Sequence, residues 1–210
     1  MRWIRKGDPP PELAHWHRHH SSGTVYDDLE HSEEGKEVRL AIRQAALGEQ
    51  RCLCAYCSER IDVETSHNEH VIPQATAPNR TLDFANIVAS CNRRGQCGGS
   101  HGSQRLPLTP LDPACEHELM YLLSGRVTGT TDNAQESIRI LNLDGRSQRN
   151  RRKQMVETLI FLERIQPEEL TLLDDELLAI ILDDMQTEKE GCLLPYAPVL
   201  ANIIRQLLAN

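Results

Sequence analysis

Residues 54 to 74, "CAYCSERIDVETSHNEHVIPQ", hold the side chains best suited to chemistry. Cys54 and Cys57 stand two residues apart, and His67, Glu69 and His70 follow within thirteen positions of the second cysteine. A second cysteine pair, Cys91 and Cys97, arrives in "CNRRGQC". Four thiolates from two such knuckles suit a tetrahedral zinc ion, a closed shell with no position left for water and therefore structural. The second knuckle is longer than the first, and Gly95 lets it turn. Cys52 could stand in for Cys54, although Cys52 with Cys57 would be an unusual spacing. Cys115 and Cys192 read as buried thiols.

The histidines then have to be assigned. A two-cysteine, two-histidine finger wants about twelve residues between the pairs and three to five between the histidines, but here the gaps are nine and two. It would also leave Cys91 and Cys97 without a role. The zinc-protease pattern H-E-x-x-H is absent. What remains is Glu69 beside His70, Asn86 further on, and the polar stretch from Asn92 to His101. A carboxylate that binds a divalent ion, beside a histidine that takes a proton from water, can hydrolyse a phosphodiester. Arg93, Arg94 and Arg105 flank this group and could hold the phosphates of the cut strand.

These residues need a hairpin to carry them. "NEHVI" and "NIVAS" read as short strands joined by "PQATAPNRTLDFA". Upstream, "SEEGKEVRLAIRQAALGEQ" reads as a helix capped by Ser32, with Val38, Ile42 and Ala45 on one stripe. Downstream, "YLLSGRVTG" reads as a second hairpin about Ser124-Gly125. Helices follow: one capped by Asp132, one running from "SQRNRRKQ" to Pro167, one from Pro167 to Gly191, and "VLANIIRQLLAN". The expected class is α+β, mostly helical, with a zinc-knuckle core at 51–115, a lead-in and helix at 1–50, and a hairpin with helices at 116–210. "HWHRHH" at 15–20 reads as a solvated or nucleic-acid-facing basic patch and not as a metal site, because its histidines lack separated partner ligands at recognisable spacing.

The net charge of −8 is unusual for a partner of nucleic acid. It is not spread evenly. Residues 157–190 hold eleven acids against Arg164 and Lys189, with Leu170, Leu173, Leu177, Ile180 and Ile181 between them near helical spacing. This reads as a surface helix packed on the core, or as a docking face for a basic partner. "GRSQRNRRKQ" is the opposite extreme, with five positive charges and no acid. No apolar run is long enough to span a bilayer, and no secretory signal is visible. Seven cysteines gathered mainly between 52 and 97 suit a reducing compartment, so a soluble cytoplasmic protein is expected, without a membrane.

The order "NEHVIPQ", "FANIVASCN", "CGGSHG" within the two knuckles resembles the HNH endonucleases. "CAYCSERI", "NIVASCNRRGQCG", "PLDPAC" and "GRVTG…ILNLDGR…R" resemble, more narrowly, the PtuB-type HNH proteins of Septu and retron-linked anti-phage systems. The strong part of the resemblance covers residues 52 to 115. It implies a ββα-metal core, His70 as general base and Glu69 as ligand of a catalytic Mg²⁺ or Mn²⁺. It further implies that Asn86 fixes the loop carrying His70, and that His101 or Asn92 is the last ligand. A PtuA-type ATPase, and in some systems a retron reverse transcriptase with its msDNA, are the implied partners. DNA and RNA, transfer RNA included, both remain open as substrate. The competing function is a zinc-knuckle module that binds nucleic acid or bridges a complex without cutting.

Overall fold

The computed structural model describes residues 1–20 and 23–209. Its first helix was not expected from the sequence. Pro10 and Pro11 set the backbone for α1 (Pro11–His19), which buries Leu13 and Trp16 and carries the histidine-rich segment. Proline at the first helical position was the available signal. A 3-10 turn (Tyr26–His31) leads to α2 (Glu33–Glu49), where the Ser32 hydroxyl accepts from Gly35 N at 3.0 Å, as its type and position predict.

The first sheet pairs β1 (Ser66–His70) with β2 (Ile87–Cys91), antiparallel, with Glu69 opposite Val88 and His70 opposite Ile87. Both strands are displaced from expectation. β1 begins at Ser66 and stops at His70, because Val71 and Ile72 leave the ladder to bond with Asn86. β2 is buried throughout, and α2 packs across the hairpin. After the second knuckle comes a one-turn helix, α3 (Gly98–His101).

Helix α4 (Cys115–Glu118) leads into β3 (Leu119–Tyr121), which pairs with β4 (Val127–Gly129) in the expected hairpin. Gly125 turns it at φ +79°, and a Cβ there would lie 2.1 Å from the Arg149 carbonyl of the helix behind it. α5 (Asp132–Ile140) is capped by Thr131 rather than by Asp132, the Thr131 hydroxyl accepting from Ala134 N. α6 (Arg146–Leu162) stops short of the proline.

The single helix expected from Pro167 to Gly191 is broken. A 3-10 turn (Leu170–Leu172) precedes α7 (Asp175–Asp184), whose Asp174 carboxylate caps Leu177 N at 2.9 Å. An aspartate competing for backbone donors starts a new helix there. Its apolar stripe divides accordingly. Leu170, Leu178 and Ile181 are buried, whereas Leu172, Leu177 and Ile180 face solvent together with Phe161 and Leu162 at the end of α6. α8 (Ala197–Leu208) closes the chain, and Asn210 lies outside the described residues.

One apolar core runs from Met1 to Ile204 and takes residues from all parts of the chain. Two expectations fail within it. Arg152, counted with the basic stripe of "GRSQRNRRKQ", is buried, donating to the Gly125 and Leu143 carbonyls at 2.5 and 2.7 Å. Cys192 is not a free thiol, nor is Cys52 a spare ligand: a disulfide joins them, with Cα atoms 5.3 Å apart. Cys115 is a buried free thiol. No helix among the described residues is long and apolar enough to cross a membrane.

Candidate metal centre and polar site

The Sγ atoms of Cys54, Cys57, Cys91 and Cys97 lie within 4.8 Å of one another, all buried. Tetrahedral zinc with Zn–S bonds of about 2.3 Å needs sulfurs about 3.8 Å apart. With all four inside 4.8 Å of one another, the cluster could hold a zinc ion. Their acidities point the same way. Burial opposes ionisation of Cys54, but hydrogen bonds from the other three thiols hold it well below the ordinary thiol range. The same contacts with Cys54 push Cys57 and Cys97 well above it. Four sulfurs this close cannot all shed protons cheaply without a cation at the centre.

Local folding builds the cluster. The first knuckle closes with Ser58 N on the Cys54 carbonyl at 3.1 Å, Ser58 taking positive φ. Gln50 then clips this knuckle to β2, its amide bonding Leu53 O, Ala89 O and Ala89 N at 2.7 to 2.8 Å. Around the sulfurs stand weak N–H donors: Cys91 N to Cys54 Sγ at 3.4 Å, Gln96 Nε2 to Cys91 and Cys97, and Gln148 Nε2 to Cys97 at 3.8 Å. Sequence spacing found the four cysteines that meet. It could not find Gln148, which comes from α6, fifty-one positions beyond Cys97.

Strand alternation sends His67 and Glu69 to one face of β1. There Glu69 meets α3: His101 Nδ1 donates to Glu69 Oε1 at 2.6 Å, and His67 Nε2 lies 3.3 Å from Oε2. Burial opposes the charge on Glu69, yet these two imidazoles hold its carboxyl below the usual range, and Glu69 in turn raises the His67 imidazole. His101 is fully buried and its Nε2 has no partner among the described residues. The buried Tyr56 hydroxyl is likewise unpartnered, and burial together with the Glu69 charge pushes it well above the phenol range.

Gly98 follows Cys97 directly and opens α3. A Cβ on it would stand 2.6 Å from His67 Nε2 and 2.7 Å from Glu69 Oε2. The glycine is what allows α3 to approach the carboxylate. Its N–H is held by Ser90 Oγ at 3.0 Å.

His70, at the end of β1, turns the other way. Its Nε2 donates to the Thr81 carbonyl at 2.8 Å, and Tyr26 packs edge-on against its ring. A nitrogen that donates to a carbonyl carries the proton, so Nδ1 holds the lone pair. Among the described residues nothing bonds Nδ1. Burial lowers the His70 pKa below its ordinary 6.5, which keeps the ring neutral at pH 7. Asn86 binds the loop that follows: Oδ1 accepts from Ile72 N at 2.8 Å, and Nδ2 donates to Ile72 O and Arg80 O.

The expected residues thus fall into groups. Glu69 and His101 touch. Asn92 does not reach the carboxylate; it bonds His67 Nδ1 at 2.9 Å instead. Of the arginines, Arg93 is paired with Glu59 through its guanidinium and is not free, while Arg94 and Arg105 are exposed. Glu59, on the first knuckle's return, faces Arg93 across the two knuckles.

No family model matches the chain. Part of it is similar to a curated protein, the Septu protein PtuB of Bacillus thuringiensis, at 32% identity over 91 residues. The match takes in 40% of this chain and 35% of that protein, so the similarity spans only about a third of the relative's length.

Proposed function

We propose that the chain is a metal-dependent HNH-type endonuclease that hydrolyses phosphodiester bonds, acting in anti-phage defence of the Septu kind. The observation that carries the reading is the meeting of Glu69, from β1, with His101, from α3, directly beside the four-cysteine cluster. A carboxylate and imidazoles are a donor set suited to a divalent ion, and Glu69 and His101 would hold it, the ion taking the place of the proton that His101 Nδ1 donates to Oε1. Such an ion, Mg²⁺ or Mn²⁺, supplies charge stabilisation at the phosphoryl group when bound.

The chain's own residues do the rest. His70 is neutral, has its lone pair on Nδ1, and is locked in that tautomer by Thr81. In hydrolysis it takes the proton of the attacking water as the new P–O bond forms and the old one breaks. Asn86 keeps the 72–80 loop, and with it the Thr81 carbonyl, in register. The cysteine cluster fixes both ends of the hairpin and takes no part in the reaction.

The similarity to PtuB supports a PtuA-like ATPase as partner, and association with a retron reverse transcriptase and its msDNA is an extension of the same reading. The acidic face of 157–190, with its exposed Leu172, Leu177 and Ile180, supports contact with a basic protein surface.

The test compares wild type with His70→Ala on plasmid DNA and on total transfer RNA, with Mg²⁺ or Mn²⁺, with and without the partner ATPase. Cleavage by wild type alone is the expected result. If neither protein cuts either substrate while both retain zinc, the non-catalytic zinc-knuckle module takes its place.

A further inference from the structure

Between the second knuckle and the start of α6 lies an open cavity of about 320 Å³, lined by Arg93, Arg94, Arg146 and Arg151 over a floor of Gln96 and Gln148. Among the described residues no acid lines it, in a chain whose net charge is −8. Arg93 is already neutralised by Glu59. Arg151 is turned inward, donating to Gln96 Oε1 at 2.5 Å and to the Ser147 hydroxyl. Arg94 and Arg146 are exposed and have no partner among the described residues. The first turn of the seventeen-residue α6 opens on the same cavity, with no side-chain cap and no acid, so its leading N–H groups add to the positive field.

We infer that this cavity binds a backbone phosphate of the nucleic-acid strand, as an anchor separate from the Glu69–His101 pair. Arginine forks and helix N–H groups match a phosphate's oxygens. The lining chooses between sources of that phosphate. It contains no aromatic or apolar side chain on which a base could stack, so it suits a strand's phosphodiester and not a free nucleotide. The cavity is also rigidly built. Asn142 Nδ2 bonds Gly95 O at 2.8 Å, Cys97 N bonds Leu141 O at 2.9 Å, and the two floor glutamines donate to the cysteine sulfurs. The inference rests on the nuclease reading only for the identity of the strand as substrate.

The experiment measures binding of fluorescein-labelled 30-mer DNA and RNA by anisotropy across a salt series, in a His70→Ala parent that cannot cut. The comparison is the same parent carrying Arg94→Gln and Arg146→Gln, with ATP as a competitor. Both arginines are exposed, and retention of the parent's melting temperature checks the fold. The expected result is a Kd about tenfold weaker near 0.1 M salt, with a salt slope shallower by about 0.9 for each lost contact, and no displacement by ATP. Unchanged Kd and slope, or a parent that binds no strand, overturns the inference. So does ATP binding that the two substitutions abolish while strand binding persists. Cleavage by wild-type protein is scored separately, so an active nuclease with unchanged variant binding refutes the cavity alone.

Discussion

Gly98 shows how much one missing side chain decides. With a Cβ at 2.6 to 2.7 Å from His67 Nε2 and Glu69 Oε2, Gly98→Ala must displace the ends of those two side chains, and with them the carboxylate that meets His101. A displacement of about 1 Å at reacting groups costs roughly a hundredfold in rate. Gly98→Ala is therefore expected to lower cleavage by about that factor while zinc content, measured by metal analysis, stays at the wild-type value. Loss of zinc together with activity would mean that the residue supports the knuckle instead. The four-cysteine cluster was legible from residue types and spacing, since each pair is local, whereas the meeting of Glu69 with His101, thirty-two positions apart, was expected only from the resemblance, which left Asn92 as the alternative. The need for Gly98 was not legible. It comes from an approach between β1 and α3 that no local pattern records.

At the scale of elements, β1, β2 and the two knuckles form one clamped unit. Thiolate zinc sites contribute folding free energy directly, because ligands held apart in the unfolded chain are brought together only by the metal. Removing the metal with a strong chelator is expected to lower the melting temperature sharply and to broaden exchange of the β2 amides. Cys91→Ser should do the same without chelator, with one zinc per chain lost by metal analysis. A melting temperature indifferent to both would show that the cluster is held by packing alone. The elements were legible to differing degrees. α2, the β3–β4 hairpin and the start of α8 follow periodicity and turn residues closely. α1 was missed because its histidines disguised a two-residue apolar face, Leu13 and Trp16. The break before α7 was missed because leucine spacing continued across Asp174 while the capping aspartate ended the helix.

For the molecule as a whole, the last segment of the chain is laced onto the first knuckle. Cys192 is bonded to Cys52, Leu193 N to Arg51 O at 3.1 Å, Arg60 to Leu193 O at 3.1 Å, and Tyr196 N to Ser58 O at 2.8 Å. The disulfide closes a loop of 140 residues, and loop entropy of that size corresponds to about 5 kcal/mol as an upper figure. Under oxidising conditions Cys192→Ser is expected to unfold at lower denaturant than wild type, and reductant should bring wild type down to the variant. If reductant leaves wild type unchanged, the backbone bonds of the strap suffice. No sequence pattern announced this pairing, because partners so far apart are chosen by the tertiary fold.

That lacing also orders events during synthesis. Every residue of the polar site and of the cysteine cluster has been made by the time His101 is added, yet Gln148, Cys192 and Tyr196 are still to come. A chain on the ribosome can gather its cysteines early but cannot brace them until residues 148 to 196 have emerged. The polar site and the cluster are thus braced only once residues 148 to 196 have been made, and a product cut short before them would carry the same side chains without that frame.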